Sequence, residues 1–261
     1  MIPLRDDVPS RTYPVVNVSL IGLNVLALLW ELGRGPGLER ALRQVAVVPA
    51  LFTGGDGSLG IGDLVASAVD PGLAFRVFFS MFLHGGLAHL FGNMLYLWIF
   101  GDNVEDRMGH ARYLVFYLLC GWLATYAHIL FDGSSRVPSI GASGAIAGVL
   151  GAYFVLYPRA RVVVAWPPPL LFFLPLMQLP ALLVLGFWFV QQFLFGLVSL
   201  GAARADTGGV AFWAHAGGFL AGLVLVKRFE RTDRRPTARD LWFEAPRYAK
   251  RRRVDSEGPF S

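Results

Sequence analysis

Two short stretches of this 261-residue chain surround a reactive side chain with residues that have almost none of their own: Gly141-Ala142-Ser143-Gly144 and Ala214-His215-Ala216-Gly217-Gly218. Small neighbours leave the Ser143 hydroxyl and backbone N–H open to an approaching carbonyl. An imidazole within hydrogen-bond reach would draw off the hydroxyl proton, the requirement for nucleophilic acyl transfer. His89 and Asn93 are four residues apart, so on a helix both side chains point toward one target and form a paired donor face. A helix beginning near Ser143 would also favour negative charge developing beside it. No Asp or Glu lies in the apolar segments that carry Ser143 and His215, and Asp206 falls in the loop before the last of them, so a Ser-His dyad is expected rather than an acid-containing triad.

The elements that must position these residues are membrane helices. The chain is 55% hydrophobic and only 16% charged, with a mean hydropathy of +0.52, so the bilayer is its solvent. Apolar runs of spanning length cover 15–32, 86–101, 111–131, 139–157, 181–200 and 210–229, the second able to continue to about Arg107. The expected fold is an all-α bundle of six transmembrane helices occupying residues 1–229. Arg107 and Arg112 after the second run, and Arg159 and Arg161 after the fourth, outnumber Arg136 and Arg204 on the other side. Both termini are therefore expected in the cytoplasm, with 33–81 as an external loop. Runs two, four and six then enter from the outer face and bring His89, Asn93, Ser143 and His215 to similar depth, where polar groups need partners or a function. Small-residue stripes at Ala147, Gly148 and Gly151 and at Ala211, Ala214, Gly218, Ala221 and Gly222 would let two helices approach closely.

Other features narrow the function. Eleven of the 23 Lys and Arg fall from Lys227 onward, and the tail 230–261 reads as a basic, flexible cytoplasmic segment rather than a nucleic-acid site. Cys120 stands alone, which excludes an internal disulfide. A zinc site on His84, His89 and His215 would lack a carboxylate ligand and a His-Glu-x-x-His pattern, so no metal or cofactor is expected. Asp6 and Asp7 precede the first run and no small-residue cleavage pattern follows it, so that run reads as a retained helix rather than a signal. Gly-rich pieces at 54–60 and prolines at 167, 168, 169, 175 and 180 place 33–81 at the outer interface and 162–180 at the cytoplasmic one. Taken singly, Gly-Ala-Ser-Gly is also a packing sequence in membrane helices, His215 a core histidine and Asn93 an interhelical hydrogen-bonding residue. A six-helix transporter would use the same polar residues to line a path, but they are confined to the outer half.

Together these residues resemble the rhomboid family of intramembrane serine proteases, across about 5–229. His84-Gly-Gly-Leu-Ala-His89-Leu-Phe-Gly-Asn93 is similar to the family's second-helix signature, Gly141-Ala142-Ser143-Gly144 to its nucleophile motif, and Ala214-His215-Ala216-Gly217-Gly218 with Gly222 to its sixth-helix motif. Glu105 and Arg107 match an element regarded as structural, and Phe75-Arg76 resembles a Trp-Arg pair of the first external loop. Ala147 departs from the pattern, since some members place there a Tyr that stacks on the histidine. The resemblance implies Ser143 as nucleophile, His215 as base, and His89, Asn93 and the Ser143 amide as an oxyanion site, with His84, Gly141 and Gly144 as structural neighbours. It implies substrates that are transmembrane proteins, in a bacterial inner membrane, or alternatively a catalytically silent scaffold that binds membrane helices. The fifth helix and the loop around Gly201, Gly208 and Gly209 are the expected moving parts.

Overall fold

The computed structural model describes residues 1–55, 57, 58, 60–165, 176–201 and 210–231. Strand β1 (Ile2–Asp6) precedes helix α1 (Val15–Leu32), then short helices α2 (Leu38–Val45), α3 (Ile61–Val69) and α4 (Pro71–Ser80). Helices α5 (Leu87–Met108), α6 (His110–Asp132) and α7 (Ser143–Leu156) follow, then strands β2 (Arg161–Ala165) and β3 (Leu176–Pro180), and helices α8 (Ala181–Gly201) and α9 (Phe212–Phe229). The chain is mostly helical. Helices α1, α6 and, to Leu200, α8 are long and apolar enough to cross a membrane by length and composition, and α7 is apolar but only 14 residues long. Helices α5 and α9 dilute their apolar stretches with charged last turns, Glu105 to Arg107 in one and Lys227 and Arg228 in the other.

An all-α fold was the expectation, and the three-stranded antiparallel sheet, ordered β1-β2-β3, corrects it. Val162, Val163 and Val164 suit a pleated surface, and Pro3, opposite Val164 in β1, is tolerated because β1 is an edge strand. Asp6 fixes the sheet to the helices by accepting hydrogen bonds from Tyr153 Oη and, at 3.0 Å, from Asn103 Nδ2. Prolines 167, 168, 169 and 175, Gly208 and Gly209, and the tail beyond 231 lie outside the described residues.

The segment 33–81 folds into short helices rather than a spanning one. Arg76 ties it together, its guanidinium donating to Arg43 O at 2.9 Å and Ala46 O at 3.1 Å, carbonyls at the end of α2. Phe75 beside it is exposed and lies 4.1 Å, ring to ring, from Phe79.

At the opposite end of the bundle, α5 runs on through Met108, past the apolar run, because its last turn is consumed in packing. Glu105 is fully buried and its carboxylate accepts from the amides of Val16 at 3.0 Å and Asn17 at 2.7 Å, in the first turn of α1, while also touching His110. A negative group there satisfies otherwise unpaired amides and faces the positive end of the α1 dipole. Arg107 pairs with Glu230, just past α9; burial works against that carboxylate, but Arg107 and then Lys227 hold it below its usual range. Glu105→Ala should cost about 3 kcal/mol, because two buried donors lose their acceptor. Glu105→Gln, which keeps an acceptor oxygen, should cost less. Thermal unfolding in mild detergent distinguishes the two.

Candidate active site

Helices α7 and α9 form the closest pair in the molecule's centre, and glycine makes that approach possible. A Cβ on Gly218 would strike the Gly144 carbonyl, one on Gly222 the Gly148 carbonyl, and one on Gly151 the Phe219 carbonyl. Without side chains the backbones meet directly, as in membrane helix pairs built on small residues. The pairing sets Ser143, first residue of α7, level with His215 in the first turn of α9.

The Ser143 hydroxyl lies 2.7 Å from His215 Nε2. Helix α7 starts at Ser143 rather than at 139, because the preceding residues are held as extended chain: Ser139 N donates to Val47 O at 2.7 Å and Gly141 N to Ser80 O at 2.8 Å. Gly141 has φ +132°, and a Cβ there would come within 3.1 Å of His89 Nε2. Only glycine satisfies both the backbone angle and the space. The turn leaves the Ser143 amide at the helix start, without an intrahelical acceptor.

Ser143 and His215 open onto a cavity of about 670 Å³, which His89, Asn93 and Ile146 also line. Asn93 is 8% exposed, and among the described residues its Nδ2 has no hydrogen-bond partner. His89 Nδ1 accepts from Gly85 N at 3.3 Å, which leaves the Nε2–H free to donate. The donor pair read from the spacing thus shares one cavity with the serine and the histidine. His84 stands just outside, holding the loop before α5: its amide donates to Glu31 Oε1 at 2.8 Å and its Nδ1 to Phe82 O at 3.1 Å. Gly144 packs beneath the serine, where a Cβ would overlap that of Ala124. Among the described residues no group of three or more His, Cys, Asp or Glu is arranged to hold a metal ion.

The sequence profile of the Rhomboid domain matches residues 71–230, taking in α4 to α9 and every residue of the cavity named so far. The chain belongs to the rhomboid family. It is 31% identical to RHOMBOID-like protein 5 of Arabidopsis thaliana over 166 residues, 63% of this rhomboid and 47% of that relative. Rhomboid protease GluP of Bacillus subtilis is 43% identical over 86 residues, 33% of this chain and 16% of the relative. The mitochondrial Rhomboid protein 1 of Saccharomyces cerevisiae is 28% identical over 166 residues, 61% and 42% of the two chains. This rhomboid therefore spans less than half the length of each.

Two side chains of the rhomboid's cavity that lie against His215 escaped the sequence reading, both on α8. Gln192 Oε1 lies 2.8 Å from His215 Nδ1, and the Trp188 ring lies 5.8 Å from the imidazole, tilted by 36°. Ala147, where an aromatic side chain would be needed to stack on the histidine from α7, is completely buried. The aromatic face comes from α8 instead. A signal existed, since Gln191 and Gln192 interrupt an otherwise apolar helix and polar residues in such helices are functional candidates. Which partner Gln192 would find depended on how α8 packs against α9.

Proposed function

We propose that this rhomboid is an intramembrane serine endopeptidase cutting peptide bonds in or near transmembrane helices of other proteins, with Ser143 as nucleophile and His215 as general base. The 2.7 Å contact between Ser143 Oγ and His215 Nε2, at the edge of a cavity with an Asn93 donor that has no partner among the described residues, carries this reading. Residues 1–229 form the membrane domain, α1, α5, α6, α7, α8 and α9 cross the bilayer, and both termini and the basic tail 230–261 face the cytoplasm, in keeping with the arginine distribution. The bacterial inner membrane is the proposed location.

Depth follows from length. Fourteen residues in α7 reach about 21 Å at 1.5 Å per residue, against a hydrocarbon core of about 30 Å. With its C-terminal end at the inner face, α7 holds Ser143 below the outer surface, inside the membrane. Hydrolysis there begins as His215 Nε2 takes the Ser143 proton while Oγ bonds to the scissile carbonyl carbon. The resulting oxyanion receives hydrogen bonds from the Ser143 amide and from the Asn93 and His89 side chains. The carbon–nitrogen bond then breaks, and His215 returns the proton to the leaving amine. Water, deprotonated by His215, attacks the ester and releases the acid as Ser143 regains its proton.

Substrate enters past α8. Only 22% of its spanning window is buried, against 39% in α6 and 28% in α1, and its hold on α9 is largely aromatic, as in the stacked Phe189 and Phe219 rings 4.8 Å apart. A shallow hold of this kind is easily released and remade. Fluorophosphonate labelling of the purified, detergent-solubilised protein tests the reading: wild type should label and Ser143→Ala should not. A folded wild type that takes no label would point instead to a silent scaffold that binds membrane helices.

A further inference from the structure

We propose that Gln192 is a positioning residue that fixes the tautomer of His215, so that the base is competent only while α8 is seated against α9. The proposal rests on the protease reading of Ser143 and His215. For Nε2 to accept a proton from Ser143 it must be bare, and the imidazole's own hydrogen must then sit on Nδ1. A bound hydrogen on Nδ1 inside an apolar bundle requires an acceptor, yet the spans that carry Ser143 and His215 contain no carboxylate. Gln192 Oε1 meets the requirement at 2.8 Å.

The amide comes from a different helix than either member of the dyad. Trp188 and Gln192 are four residues apart, on one face of α8, so the same helix supplies both the acceptor at Nδ1 and the ring beside the imidazole. Phe193 adds an edge contact to Trp213 at 5.8 Å, holding α8 in register with the first turn of α9. When α8 swings away to admit a substrate helix, Nδ1 loses its acceptor, and the proton is free to move to Nε2, which silences the base. Return of α8 restores the bare Nε2. Access and base strength are thereby linked through one neutral side chain, where an aspartate would hold the tautomer at the cost of a buried charge.

Two substitutions separate hydrogen bonding from packing. Gln192→Met keeps the length and apolar stem but removes the strong acceptor; Gln192→Glu presents an acceptor oxygen in either protonation state. The rate of fluorophosphonate labelling at Ser143 should fall about 10- to 100-fold in Gln192→Met, the value of one hydrogen bond to an essential base, and stay near wild type in Gln192→Glu. A purely structural role predicts the reverse order, and that result overturns the proposal. Nitrogen-15 NMR of histidine-labelled protein reads the tautomer without any activity: His215 should carry its proton on Nδ1 in wild type and shift toward Nε2 in Gln192→Met. A wild-type His215 protonated on Nε2 refutes the role of Gln192 even if the enzyme is active. A wild type that never labels, yet shows the Nδ1 proton and its loss in Gln192→Met, refutes the protease reading alone.

Discussion

His215→Ala is expected to lower hydrolysis of a transmembrane substrate by about 10⁴- to 10⁶-fold while leaving the protein folded, the scale seen when the base of a serine hydrolase is removed. Among the described residues of the cavity none is placed to take its role. Among the described residues Ser143 Oγ has one basic neighbour within hydrogen-bond reach, His215 Nε2 at 2.7 Å, and His89 Nδ1 is already engaged as acceptor for the Gly85 amide. Without a base the hydroxyl has no nearby side chain to take its proton. The loss should be the same in Ser143→Ala and in the double variant, because in the proposed mechanism the two side chains perform one proton transfer together and their effects do not add. Turnover of a detergent-solubilised substrate, followed by the appearance of the cut fragment, measures all three. A double variant a further thousandfold below either single one would show that the two residues act separately.

Asn93→Ala should reduce kcat by about 100- to 1000-fold with little change in KM, as expected when one donor to an oxyanion is lost. The physical reason lies in what Asn93 lacks. Among the described residues its Nδ2 is buried without a partner, a cost that folding alone does not explain and that an oxyanion forming in the cavity would recover. Truncation therefore leaves no other group stranded, and the unfolding temperature should stay close to wild type. Losing kcat without losing stability separates an oxyanion donor from an interhelical hydrogen-bonding residue, which would show the opposite. Wild-type turnover in a folded Asn93→Ala protein would reject the role.

Much of the cavity was legible in the residues themselves. Glycines around Ser143 and His215 announce helices that must touch, and the four-residue spacing of His89 and Asn93 places both on one face; the structure brings all four residues to a single cavity. The length of α5 was also readable, because nothing in Asp102 to Asp106 forbids helix once the apolar run ends at Gly101. Other features depended on contacts between distant parts of the chain. Strand β1 pairs with β2 across more than 150 residues, and neither five-residue strand carries a signal comparable to the long apolar runs around it.

By itself the sequence determined the solvent, the apolar segments and the candidate chemistry, because hydrophobicity, helical period and side-chain size are local properties that survive without knowledge of the fold. Tertiary structure alone decided which amide end Glu105 caps, that β1 joins the sheet, and that α8, through Gln192 and Trp188, completes the surroundings of His215. Each of those depends on how separate elements lie against one another, and a hydrogen bond acts only over about 3 Å, a distance that no spacing along a chain can specify.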